Sequence, residues 1–303
     1  MIKKYLKKAL IKGIHSCGYD AQFQKIATTG RTDSKGMAFL HVPKSGGLTI
    51  DRALRSAFAS AGSMRIDRNA VIRSSMVGYA KQLDGSLDEG AKFSDYHASQ
   101  LPVLMSYSMY RATPFISGHL AVNARLLEEY DSSYDFITVL REPVARFKSN
   151  YIFNRLTNQL PVMHPVANND TDNLISEARA ILEHRRGWQL ANTSTMCLTG
   201  RYPKDKADAQ AMRDEVLHNS DRFSVIGFLD DLPGFSKLLC EQYGKEITFE
   251  SRNQTQDLAS PKNQKVIDVL KDFFSNQNVI NQVTELCSVE RENYERILSK
   301  RRT

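Results

Sequence analysis

Short unbroken apolar runs, each closed by a glycine, a proline or a charge, recur along this chain between longer stretches of helical hydrophobic spacing. The runs Met37–Val42, Phe115–Ser117, Phe136–Leu140 and Phe223–Phe228 have the length and continuity of strands buried on both faces. Helical spacing follows them at Leu48–Ala61, Val122–Tyr130 and from Pro143 to about Arg155, then at 173–186, 187–197 and 206–219. Leu232–Tyr243 is a further helix, and Ser260-Pro261 opens a last helical segment with a break near Ser275–Asn278. Residues 62–112 give no clear pattern, and the polar stretch around 84–95 is expected to be a surface insertion. Residues 158–172, rich in Asn, Asp and Pro, are expected to form a loop that, with the helices after it, lids a ligand site. Strands alternating with helices predict a three-layer α/β fold, a doubly wound and mainly parallel central sheet flanked by helices. One α/β domain over residues 36–303 is expected, preceded by a lead-in over 1–35.

Charge changes the picture at the amino terminus alone. Of the net +7, five charges are the lysines Lys3, Lys4, Lys7, Lys8 and Lys12, so the remaining chain carries +2. That balance excludes nucleic acid as an expected partner. In residues 1–14, Ile2, Leu6, Leu10 and Ile14 share one helical face and Lys4, Lys8 and Lys12 another. This is the pattern of a short basic helix that either touches an anionic membrane surface peripherally or packs on its own domain. No apolar run has the length of a membrane span, and the start lacks a signal-peptide core. Cys17, Cys197, Cys240 and Cys287 stand singly, as free thiols of a reducing compartment do. A cytoplasmic location, at most peripheral on a membrane, and no metal are expected.

The first strand ends in His41-Val42-Pro43-Lys44-Ser45-Gly46-Gly47-Leu48-Thr49. Two glycines let the backbone approach an anion closely, and the amides of Gly47, Leu48 and Thr49 at a helix start favour negative charge. Lys44 adds a mobile cation. The lysine precedes the glycines, the reverse of a Walker A loop, so a P-loop-like anion cradle is written here but not the standard ATP or GTP one. The third strand ends in Arg141-Glu142-Pro143, and Arg141 with Ser149 two helical turns later can converge on a second anion. Together they suggest a ligand with two phosphates. Lys44, His119 and Arg141 all follow strand ends, where α/β folds bind ligands.

These two segments resemble the sulfotransferase superfamily, in particular its carbohydrate branch with the heparan sulfate 2-O- and 6-O-sulfotransferases and their bacterial relatives. His41–Thr49 is similar to that family's H-[IV]-P-K-[ST]-G-G-x-[ST] motif, and Leu140–Tyr151 to its L-R-[DE]-P-x-x-R-x-x-S-x-[YF] motif. The resemblance implies that Lys44, Ser45, Gly46, Gly47, Leu48 and Thr49 hold the 5′ end of 3′-phosphoadenosine 5′-phosphosulfate (PAPS). It likewise implies that Arg141 and Ser149 hold the 3′-phosphate. Weaker echoes lie at Asn192–Gly200, where the family often has Arg in place of Met196, and at Arg252–Thr255. The implied activity is PAPS-dependent O-sulfation of a carbohydrate or other hydroxylated acceptor.

Sulfuryl transfer needs a base for the acceptor hydroxyl, and His119, in Ser117-Gly118-His119, resembles the catalytic histidine of the 2-O branch; its alternative role is to cap the strand–helix turn. Lys44 is the residue to stabilise charge on the leaving phosphate. His41 is expected to pack within the core. His97 and His164, in expected loops, are acceptor-site possibilities, and Arg185, Arg186 and Trp188 either line an acceptor groove or pack. Arg146 is expected either to reach the ligand or to pair with an acid. Two other readings remain open, a nucleotide-dependent kinase of a small hydroxylated substrate and a non-catalytic glycan- or membrane-binding protein.

Overall fold

In a computed structural model of the protein, residues 35–79, 81, 83–157, 170–249 and 261–302 are described, with positions 13, 16 and 17 besides. The basic segment apart from Gly13, the 158–169 part of the expected lid with His164, and Arg252–Thr255 lie outside the described residues.

The strands are β1 (Gly36–Leu40), β2 (Met64–Arg65), β3 (Phe115–Gly118), β4 (Tyr134–Leu140) and β5 (Val225–Phe228). They form one parallel sheet in the order β2-β3-β1-β4-β5, with Phe39 of β1 in register with Ser117 and Ile137. The pleat sends alternate residues to opposite faces. Met37, Phe39, Ile137, Val139 and Val225 enter one apolar cluster with Ile50, Leu54 and Phe58 of α1 (Gly47–Phe58) and Phe235 and Leu239 of α11 (Leu232–Tyr243). Ala38, Leu40, Ile116, Phe136 and Leu140 enter the other. There they meet α3 (Leu87–Tyr110), α4 (Ala124–Tyr130), α8 (Thr193–Thr199), α10 (Arg213–Asp221) and α14 (Ser288–Arg302). Strands covered on both faces explain the unbroken apolar runs. On α1 the buried Ile50, Leu54 and Phe58 recur every fourth residue, each stabilising by about 1.5–3 kcal/mol relative to exposure.

A separate helical cluster joins α5 (Pro143–Leu156) and α6 (Thr171–Glu183) with α7 (Arg185–Ala191), α12 (Pro261–Phe273) and α13 (Gln277–Leu286). Helices α2 (Arg68–Gly78) and α9 (Lys206–Ala211) complete the described set.

Several sequence expectations are corrected. The stretch 84–95 is not a surface insertion but the front of α3: Ser86 caps it by accepting from the Glu89 amide at 3.2 Å, Asp88 and Glu89 face its positive end, and Gly90, Ala91 and Phe93 are buried. His97 therefore sits on a helix, not in a loop. The expected helices 173–186, 187–197 and 206–219 each divide, at His184, Asn192 and Met212. His184 and Asn192 close one helix and open the next, with His184 Nδ1 accepting from the Arg186 amide at 3.1 Å. Strand β2 was invisible because two exposed residues carry no periodicity. The break near Ser275–Asn278 and the Pro143 start are observed as expected.

Candidate active site at the carboxyl edge of the sheet

All five strands point the same way, so the residues that follow β1, β2, β3 and β4 gather at one edge. After β1 the chain turns through Lys44, at φ 66°, and Gly46, at φ 75°, into α1. No side chain caps α1, which leaves the amides of Gly47, Leu48 and Thr49 without intrahelical acceptors. Ser45 is buried, and its hydroxyl has no partner among the described residues. The two glycines serve different ends. Gly46 supplies the left-handed backbone, whereas a Cβ on Gly47 would stand 1.5 Å from His41 Nε2.

Lys44 places its ammonium 3.9 Å over the Phe153 ring, and its carbonyl accepts from Arg141 Nη1 at 3.1 Å. Burial, then the charges of Arg141 and Arg68, bring the Lys44 pKa down to about 8. Arg141 thus holds the loop as well as lying beside it. Asp230 follows β5 and favours the charged guanidinium, against burial that disfavours it. Ser149 is half-buried one helical turn before Phe153, so it shares the face of α5 that lies toward Lys44. Arg146, one turn earlier, is fully buried. It donates to the carbonyls of Leu190 and Ala191 and pairs with Glu290 at 3.3 Å, so its role is structural.

His119 follows β3 and stacks on His41 with ring centroids 4.1 Å apart. Burial holds the His119 pKa well below the usual histidine value, reinforced by His41 and Arg68, while a hydrogen bond to the His41 backbone works the other way. Its Nδ1 is buried without a partner among the described residues, and with the ring proton on Nε2 that nitrogen would offer a lone pair. His41 is neutral as well, with burial and the cations Arg65, Arg68 and Lys44 bringing it to about 3.

His119 lines a cavity of about 260 Å³ together with Pro43, Arg68, His97, Asn154, Arg186 and Tyr202. Burial, then Arg68, lowers His97 to about 4, and its Nδ1 lies 2.8 Å from Ser75 Oγ. Arg186 reaches the cavity while Arg185 pairs with Asp95 at 2.7 Å and Trp188 does not line it.

Sequence reasoning missed Arg68. It begins α2 after the two-residue β2, and its charge acts on Lys44, His41, His97 and His119 alike. The signal available was Asp67-Arg68 at a helix start, with Asp67 Oδ1 accepting from the Ala70 amide. The edge therefore combines free amides, a buried hydroxyl, three cations and a neutral imidazole beside a cavity. Such a set can take an anion and accept a proton next to it. Among the described residues no group of His, Cys, Asp and Glu is arranged to hold a metal ion, and no helix is long and apolar enough to cross a membrane. No family model matches the chain, and no curated protein matches it.

Proposed function

We propose that the protein is a PAPS-dependent O-sulfotransferase. The observation that carries this reading is the β1–α1 loop, where Lys44, the buried Ser45 hydroxyl and the uncapped amides of α1 share one turn that packs through Gly47 on His41, the ring on which His119 stacks. Lys44 and the amides of Gly46, Gly47, Leu48 and Thr49 hold the 5′ phosphosulfate, and Arg141 with Ser149 on α5 hold the 3′-phosphate. The acceptor hydroxyl oxygen forms its bond to sulfur as the bond from sulfur to the bridging phosphate oxygen breaks. The hydroxyl proton passes to His119 Nδ1, and Lys44 and the loop amides stabilise the charge that arrives on the phosphate. Binding the doubly phosphorylated donor raises the His119 pKa toward a useful base strength by offsetting the cations that depress it.

The test is incubation with sulfur-labelled PAPS and hydroxylated acceptors, reading label transfer and release of 3′,5′-phosphoadenosine. Lys44→Ala should lose at least a hundredfold in rate, in line with removal of one preorganised donor. Full activity in that variant, or tight ATP binding with PAPS ignored, overturns the reading.

A further inference from the structure

The outer face of α3 carries an apolar stripe that the fold leaves open. Val103, Tyr107 and Tyr110 are 62, 58 and 84% exposed, three of the seven large apolar side chains left exposed among the described residues. Spaced by four and by three, they lie along one side of the helix. They border a groove of about 650 Å³ whose other wall is α4, which contributes Leu126, Tyr130, Arg125 and Glu129. Tyr130 is fixed there by an edge-on contact with Tyr134, and its hydroxyl donates to the Ser106 carbonyl at 3.5 Å. Exposed apolar side chains gathered along one groove mark a surface that something covers.

The place where the preceding chain enters the domain indicates what that is. Lys35 Nζ donates to the Asp131 carbonyl at 2.6 Å, and the Gly36 amide to the Ser133 carbonyl at 2.8 Å. Asp131 directly follows Tyr130, so residues 1–34 join the domain at the end of α4, beside the groove. Within them Ile2, Leu6, Leu10 and Ile14 make an apolar stripe spaced by four, as Val103 and Tyr107 are. At helical rise those four positions extend about 18 Å and Val103 to Tyr110 about 10 Å, so the groove has room for two or three of them. Residues 15–34 are a tether with a flexible reach of about 25 Å, well over the length of α4. Tethering also makes the encounter intramolecular, at an effective concentration near millimolar, so that a contact too weak to hold a free peptide holds this one. Charge agrees: the exposed Glu128 and Glu129 outnumber Arg125 on α4, and Lys4, Lys8 and Lys12 flank the apolar stripe of the segment.

We propose that the groove between α3 and α4 seats residues 1–14 of the same chain, apolar stripe against apolar stripe. Of the two roles open to the basic segment, packing on its own domain is then the one it takes, and a membrane surface is not its seat. The assignment uses nothing of the sulfuryl-transfer reading and stands or falls apart from it.

The test uses the full chain with a photoreactive benzophenone side chain in place of Leu6, irradiated at high dilution and digested for mass spectrometry. The expected product is a cross-link within one chain, from position 6 to residues 102–110 or 123–130. Val103→Asp and Tyr107→Asp each set a carboxylate in the seat and should cut the yield about tenfold or more. Both side chains are exposed, so these variants should keep the native thermal midpoint. Leu10→Asp, made on the segment, should lower the yield to the same extent. Vesicles of phosphatidylcholine and phosphatidylserine should leave the product in place. Cross-links to another face of the domain, to a second chain or to lipid in place of α3 and α4 overturn the proposal, as does a yield that survives all three aspartates.

Discussion

Lys44 is under more constraint than its sequence context discloses: a positive φ, a carbonyl held by Arg141, and an ammonium set over Phe153. With its pKa near 8 in the ligand-free protein, an anion at the loop must draw a proton back onto it as pH rises. Binding is then complete below about pH 8 and weakens about tenfold per unit above, until the pKa of the complex is passed. Calorimetric titration of 3′,5′-phosphoadenosine between pH 7.5 and 9.5 checks this, a window above the second phosphate ionisation near 6. Lys44→Ala should bind more weakly with a flat profile, and a sloping one would remove Lys44 as the titrating group. The pair His41 and Gly47 gives a second test at this scale. Gly47→Ala drives a methyl into the His41 ring and disturbs His119 through the stack, so donor affinity and turnover should fall together. In His41→Ala the space exists, and adding Gly47→Ala should cost far less than it does alone, a coupling read from the double-mutant cycle. Equal costs in both backgrounds would mean the two residues do not touch. The lysine and glycines were legible as a tight turn from strand into an uncapped helix, but the reason for the second glycine was not, because its neighbour is a side chain reached across the turn.

Elements were legible where burial is local and illegible where a remote residue completes them. The apolar runs gave four strands, and Pro143 gave the start of α5, whose cap is Glu142 accepting from the Val144 and Ala145 amides at 3.1 and 2.7 Å. Helix α8 has no cap of its own. Glu290 of α14 takes that part, accepting from the amides of Ser194 at 2.7 Å and Thr195 at 3.0 Å and from Thr195 Oγ1 at 2.6 Å. The same carboxylate pairs with Arg146, both side chains being almost fully buried. No local pattern announces a cap supplied from so far along the chain. Glu290→Ala strands a buried guanidinium and two amides together, and should lower stability by about 3–5 kcal/mol in urea unfolding. Glu290→Gln, which keeps an acceptor and loses the charge, should fall between the variant and the native chain. A loss under 1 kcal/mol for the alanine would return Arg146 to the list of possible ligand residues.

At the scale of the molecule, net charge hides what topology concentrates. Outside the amino-terminal lysines the chain is nearly neutral, yet the sheet order brings Lys44, Arg65, Arg68 and Arg141 to one edge from the ends of three different strands. Arg65 is offset by Asp51, whose Oδ2 lies 3.1 Å from its Nε. Burial first, and then these cations, lower Lys44, His41 and His119, with Arg65 acting on both imidazoles. Composition cannot show this, because the short β2 that brings in Arg65 and Arg68 has no signature in the sequence. An edge that repels itself is stabilised by whatever anion it binds. At a hundred times its dissociation constant, 3′,5′-phosphoadenosine should add about 2.7 kcal/mol, a rise of several degrees in thermal midpoint for a chain of this length. The rise should shrink between low salt and 0.5 M salt as screening shortens the reach of the four cations. It should also be smaller in Lys44→Ala, and ATP at the same concentration should give less of it, since ATP lacks the 3′-phosphate that the proposed function assigns to Arg141 and Ser149. An equal shift with ATP would favour the kinase alternative, and no shift with either nucleotide would leave the charged edge to some other anion.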